Sequence, residues 1–223
     1  MQRVGGIVLC GGRSSRMGRP KAWLPFGGEL MLPRVVRVLG EVVAPVVVVA
    51  APGQDVPPLP PGVEIVRDPE EGRGPLQGLA AGLEALRGRV DAAYLSSCDV
   101  PFLQPAFVRR IVELLGDHSV CVPNVDGYFH PLAAVYRVEV APVAARLLAE
   151  NRPRPVFLFD AVPTRVVRPE ELADVDPTFQ SLRNLNAPED YDAALRDLAG
   201  LPDGLGIAVL TAREIGLGKV EPA

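Results

Sequence analysis

The chain has 223 residues, 48% hydrophobic and 22% charged, a balance that suits one globular α/β unit with a buried core rather than a disordered chain. Its net charge of −4 sets it apart from basic proteins that bind nucleic acid nonspecifically, so any polyanionic ligand must be held by a local cluster of cations. No apolar run reaches the ~18–20 residues of a membrane helix. Met1-Gln2-Arg3 leads into a strand-like run without a cleavage signature, and the expectation is a cytoplasmic protein.

In chain order, residues 4–10 read as a short buried strand ending on Gly11-Gly12. A loop rich in glycine, arginine and serine follows to about Phe26. Residues 31–43 carry Leu32, Val35, Val36 and Leu39 at a helical period behind the Gly27-Gly28 turn. Residues 45–50 are a β-branched run suited to a buried parallel strand, and 63–66 are a further strand past a proline-rich connection. A second glycine loop, 72–78, opens a helix to about Arg87. Residues 92–96 form the next buried strand, closing on Ser97-Cys98-Asp99. Residues 105–115 are a helix with proline at its start. Strands are predicted over 119–122 and 164–168, an extended segment over 128–136, and helices over 140–149 and 188–198.

Strands alternating with helices predict an α/β fold whose mainly parallel sheet is covered on both faces. Ligands of such sheets bind at the carboxyl ends of the strands, where both glycine loops and Asp99 fall. Residues 1–200 read as one domain and 201–223 as an extension without an assignable role. Cys10, Cys98 and Cys121 lack metal-ligand spacing and are expected as buried reduced thiols.

The richest segment is Leu9-Cys10-Gly11-Gly12-Arg13-Ser14-Ser15-Arg16-Met17-Gly18-Arg19-Pro20-Lys21. Glycines after a strand let the backbone approach a ligand and turn its N–H groups toward an anion. Arg13, Arg16, Arg19 and Lys21 lie there without an acidic neighbour, the composition of a triphosphate cradle. Gly18 is followed by Arg19-Pro20, which excludes a Walker A loop, and the glycine spacing excludes a dinucleotide fingerprint. Asp99 could hold a Mg²⁺ bridging phosphate oxygens, or act as an Asx-turn residue ahead of the next helix. The residues alone leave both open. Asp68 and the glycines from Gly72 to Gly78 suit a nucleotide lying against the backbone, or a simple helix start.

In combination, L-x-G-G-x-S-x-R-M-G-x-x-K, G-P-L-x-G-L, C-D-V-P and N-x-N-x-P-E-D-Y resemble the molybdenum cofactor guanylyltransferases, the MobA-like nucleotidyltransferases, over roughly residues 4–199. The resemblance implies a Rossmann-like three-layer α/β/α sandwich of the nucleotide-diphospho-sugar transferase type. It implies transfer of GMP from GTP to molybdopterin with Mg²⁺, giving molybdopterin guanine dinucleotide and pyrophosphate. Lys21, Arg16 and Asp99 are then the expected catalytic residues. Leu9, Cys10, Gly11, Gly12, Lys21, Asp68, Gly78 and Asp99 are the nucleotide contacts. Asp99 and Asn186 are the metal ligands, with Asn184 as the alternative asparagine, and His130 lies toward the acceptor. Implied partners are small-molecule substrates and molybdoenzyme or cofactor-synthesis proteins. Gly11 matches the guanylyl L-A-G-G loop rather than the cytidylyl L-A-A-G loop. One departure is that Ala50-Ala51-Pro52 stands where guanylyl members often carry an asparagine. Competing expectations are a cytidylyl or sugar-phosphate enzyme of the same fold, and a nucleotide-binding regulator without chemistry.

Overall fold

The structure is a computed structural model that describes residues 2–11, 20–70 and 72–200. The described chain runs β1 (Val4–Leu9), β2 (Pro25–Phe26), β3 (Glu29–Leu30), α1 (Met31–Gly40), β4 (Val46–Ala50), β5 (Glu64–Arg67), α2 (Pro75–Leu86) and β6 (Ala92–Ser97). It continues through α3 (Pro105–Leu114), β7 (Val120–Val125), β8 (Tyr128–Phe129), β9 (Ala133–Arg137), α4 (Ala141–Ala149), α5 (Val156–Phe159), β10 (Thr164–Val167) and α6 (Pro188–Ala199).

The main sheet has the order β10-β7-β9-β6-β1-β4-β5, with β8 paired to β7. It is parallel from β6 through β1 and β4 to β5, and again between β7 and β10. Only β9 interrupts it, running antiparallel to both β6 and β7. The single extended segment expected over 128–136 is therefore two strands. The break lies at residues 130–132, where Ala133 N–H donates back to His130 C=O at 3.0 Å, and an Asp126-Gly127 hairpin, both residues at positive φ, sends β8 back along β7.

The central strands are buried on both faces, and successive side chains point to opposite ones. On β4, Val46, Val48 and Ala50 join one core cluster, and Val47 and Val49 the other. Helices α1 and α3 cover the first face through Leu32, Val35, Leu39, Phe107 and Ile111. Helices α2 and α4 cover the second through Leu79, Leu83, Leu147 and Leu148. The result is the expected three-layer α/β/α sandwich. A third cluster seats α6 on the β2–β3 hairpin through Leu24, Phe26, Leu185, Ala194 and Leu198.

The second glycine loop is shorter than expected. Helix α2 starts at Pro75, so Gly78 lies inside the helix. A Cβ at Gly78 would sit 2.9 Å from Leu9 Cδ2, and one at Gly82 would sit 2.7 Å from Ile7 Cγ2. These two glycines, one helical turn apart, let α2 lie directly on β1. No described helix is long and apolar enough to cross a membrane.

Candidate active site

From β1 the chain passes to β4 and β5 on one side, then crosses to β6 on the other. The carboxyl ends of β1 and β6 therefore flank a topological switch point, where open α/β sheets bind ligands. A cavity of about 660 Å³ opens there, lined by Leu9, Cys10, Gly11, Ala51, Asp99 and Asn186 among others.

Three elements deliver its ionic end. Asp99 lies two residues past β6, held in register by the Cys98 N–H donating to Leu9 C=O at 3.0 Å. Lys21 heads the short 3-10 turn Lys21–Trp23, whose Ala22 is buried in the core. Asn184 and Asn186 flank Leu185, whose N–H donates to Asp99 C=O at 3.0 Å and whose side chain is buried against Leu24 and Phe26. Asp190 fixes the far side by accepting the Asn186 and Ala187 N–H groups at 2.9 Å each, ahead of α6. A buried carboxylate, Asp176, ties the approach to this segment by accepting the Gln180 and Ser181 N–H groups and the Gln104 amide.

These supports bring five side chains together. Lys21 Nζ donates to Asp99 Oδ2 at 2.7 Å and to Asn186 Oδ1 at 3.2 Å. Asn184 Nδ2 donates to Asp99 Oδ1 at 3.0 Å and to Ser97 Oγ at 3.1 Å. Asp99 is buried, so its carboxylate is oriented on both oxygens in a largely dry setting. The two asparagines divide the work: Asn184 turns its N–H donors to the carboxylate, whereas Asn186 turns its oxygen to the cation.

Among the described residues no group of three or more His, Cys, Asp or Glu could hold a metal ion by itself. Yet Asp99 Oδ2 and Asn186 Oδ1 already converge on one cationic centre. One carboxylate plus a neutral oxygen is a donor set that fits Mg²⁺, which takes its remaining ligands from water and substrate phosphates. The residues present therefore fit the ion.

The rest of the wall is largely apolar, with Leu9, Cys10, Val49, Ala50 and Ala51, and Asp68 stands beside Ala50, its N–H donating to Ala50 C=O at 2.9 Å. A Cβ at Gly11 would lie 3.3 Å from Ala51 N, so the glycine allows β1 and β4 to end in close contact. Asp68 also lines the cavity, and burial raises its carboxyl above the ordinary value while the Glu70 N–H bond opposes the rise. Burial pushes the Cys10 thiol up to about 11 and the Cys98 thiol well above its ordinary value, aided for Cys98 by the Asp99 charge. Both stay protonated near neutral pH and offer no thiolate nucleophile. All three cysteines are free and buried, as expected.

Of the expected site residues, Leu9, Cys10, Gly11, Lys21, Asp68, Gly78, Asp99 and Asn186 all line this cavity. Gly12 and Arg16 lie outside the described residues, as do Arg13 and Arg19. His130 is half-buried two residues before Leu132, which does reach the wall. Sequence reasoning missed Ser97, whose hydroxyl braces Asn184, and Gln54, whose amide bonds to the ends of two strands. A serine and a glutamine in ordinary surroundings carry no sequence signal.

A mainly parallel sheet with a lysine, a carboxylate and two asparagines at its switch point defines a nucleotide-binding α/β enzyme whose site suits phosphate chemistry. Residues 6–163 match the MobA-like NTP transferase domain. The chain is 38% identical over 195 residues to a probable molybdenum cofactor guanylyltransferase of Mycobacterium tuberculosis, covering 83% of this chain and 92% of that one. Among solved structures it resembles the molybdopterin-guanine dinucleotide biosynthesis protein A of Archaeoglobus fulgidus, with TM-score 0.72, 21% identity, and coverage of 88% and 100% of the two chains. It also resembles a 2-C-methyl-D-erythritol 4-phosphate cytidylyltransferase of Thermus thermophilus, with TM-score 0.64, 18% identity, and coverage of 89% and 100%. The chain belongs to the MobA-like nucleotidyltransferase family.

Proposed function

We propose that this enzyme transfers GMP from GTP to the terminal phosphate of molybdopterin, releasing pyrophosphate and forming molybdopterin guanine dinucleotide. The observation that carries the proposal is the Lys21–Asp99–Asn186 convergence in a cavity whose remaining wall is largely apolar. A nucleoside triphosphate has the same polarity, a polyanionic tail joined to a flat base. The relatives' names supply the guanylyl and molybdopterin halves of the reading.

In this reading Lys21 binds the triphosphate and neutralises charge that grows on the oxygens as the α–β bond breaks. Asp99 and Asn186 would hold a Mg²⁺, which when bound supplies charge neutralisation at the phosphates. Asn184 and Ser97 keep the Asp99 carboxylate aimed. The acceptor phosphate is already ionised near neutral pH and attacks the α-phosphorus in line, with pyrophosphate leaving. No general base is needed, and catalysis rests on positioning and charge stabilisation. Arg16, a catalytic residue by the family resemblance, lies outside the described residues.

Pyrophosphate release with Mg²⁺ and molybdopterin, measured for GTP, CTP and ATP in turn, tests the proposal. GTP should be the preferred donor. Release that is fastest from CTP would make the enzyme a cytidylyltransferase, and no release from any nucleotide would leave a binding protein.

A further inference from the structure

On the wall of the cavity formed by the ends of β1 and β4, the ladder between them ends abnormally. Cys10 N–H donates to Val49 C=O at 2.9 Å, a regular parallel rung. In a continuing parallel ladder the next rung would run from Ala51 N–H to Cys10 C=O. Instead the Gln54 carboxamide lies between them. Its Oε1 accepts the Ala51 N–H at 2.9 Å, and its Nε2 donates to Cys10 C=O at 2.9 Å.

The turn behind Gln54 is fastened. Gly53 sits at φ 68°, and Gln54 N–H donates back to Ala51 C=O at 3.2 Å. Arg67 Nη1, from the end of β5, donates to the carbonyls of both Gln54 (2.7 Å) and Ala51 (3.2 Å). The carboxamide thus takes the place of the next ladder rung between the two strand ends, and Cys10, Gly11, Ala50 and Ala51 around it all line the cavity. The main-chain geometry at this point is set by one side chain.

Resting on the guanylyl reading above, we propose that Gln54 is a positioning residue for nucleobase selectivity. It holds Cys10–Gly11 and Ala51 at the spacing that receives the base, while Lys21 and Asp99 receive the phosphates at the other end. The lining assigns the base: a flat ring belongs against the apolar Leu9, Val49 and Ala50, not beside the buried Lys21–Asp99 ion pair. A polar group of the kind the missing asparagine at Ala51 would bring thus stands three residues later and acts through the backbone.

The test uses the full chain with Mg²⁺ and compares Gln54→Leu, which keeps bulk, with Gln54→Glu, which keeps the acceptor for Ala51 and loses the donor to Cys10. Calorimetry measures Kd for GTP, ATP, CTP and inorganic triphosphate. Loss of two strand-end bonds should narrow the ratio between the best and worst nucleotide by about fivefold to tenfold in Gln54→Leu, with triphosphate affinity unchanged. Gln54→Glu should also narrow it. A ratio kept within about twofold in both folded variants overturns the proposal, as does an equal loss of triphosphate and nucleotide affinity, which marks a merely structural role. Should Gln54→Leu fail to fold, Gln54→Glu decides alone by the same criterion. A wild-type preference for CTP would overturn the guanylyl reading instead, and the ratio would still judge Gln54.

Discussion

Lys21 is one of two lysines in a chain that otherwise uses arginine for every cation, and it is the one that reaches Asp99. A compact ammonium can touch a carboxylate oxygen and an amide oxygen in a narrow space, where a planar guanidinium would need a different approach. Lys21→Ala should lower kcat/KM by roughly 10²–10³-fold, the scale for losing one preorganised donor. Lys21→Arg should recover little of it in the same steady-state assay; full recovery would show that only positive charge matters. Asp99→Ala should reduce turnover at saturating Mg²⁺ by about 10²-fold or more, with the fold retained. Activity within about threefold of wild type would remove Asp99 from the phosphate site. Burial lowers the pKa of the His130 imidazole below its ordinary value of 6.5, partly opposed by Asp126. A depressed histidine favours the folded state while neutral, so its contribution is present above the ordinary value and fades as pH falls through it. The drop in Tm from about pH 7.5 to about pH 5.5 should be smaller in His130→Gln than in wild type; equal drops would show that His130 is not the group responsible.

At the scale of elements, α2 and its glycines carry the tightest constraint. Adding a methyl at Gly82 brings it within 2.7–2.9 Å of three Ile7 side-chain carbons, so either the helix or the strand must shift. Gly82→Ala should cost about 1–3 kcal/mol in urea unfolding, the usual range for overpacking a core. A neutral result would mean that Ile7 can change rotamer and that the contact is soft. The sequence marked α2 as a helix opened by the second glycine loop, and so placed Gly78 in that loop. A glycine reads locally as punctuation, and only the facing Leu9 reveals that it serves packing. The hairpin between β7 and β8 was missed for a related reason. Residues 128–136 are apolar enough to read as one strand, while the reversal is set by backbone φ at Asp126 and Gly127.

At the scale of the molecule, Gly11 and Asp99 could be placed beyond the ends of β1 and β6 because a glycine and a lone acidic residue after a buried run are local signals, although the residues alone left the role of Asp99 open. Asn186 could be named from its motif, but its partner could not. Lys21 and Asn186 stand 165 positions apart and meet only because α6 docks on the β2–β3 hairpin. The role of Gln54 was equally hidden, since nothing in Pro52-Gly53-Gln54 announces a missing ladder rung. The fold is shared with structures named for molybdopterin-guanine dinucleotide biosynthesis and for cytidylyl transfer alike, so fold by itself does not choose the nucleotide. The choice and the bond that breaks are both visible in one measurement, the fate of label from GTP incubated with this enzyme, Mg²⁺ and molybdopterin. Label at the α-phosphorus should appear in the molybdopterin dinucleotide, and label at the γ-phosphorus in pyrophosphate. Transfer of the γ-label to molybdopterin, with GDP as the other product, would contradict attack at the α-phosphorus and with it the account of this site.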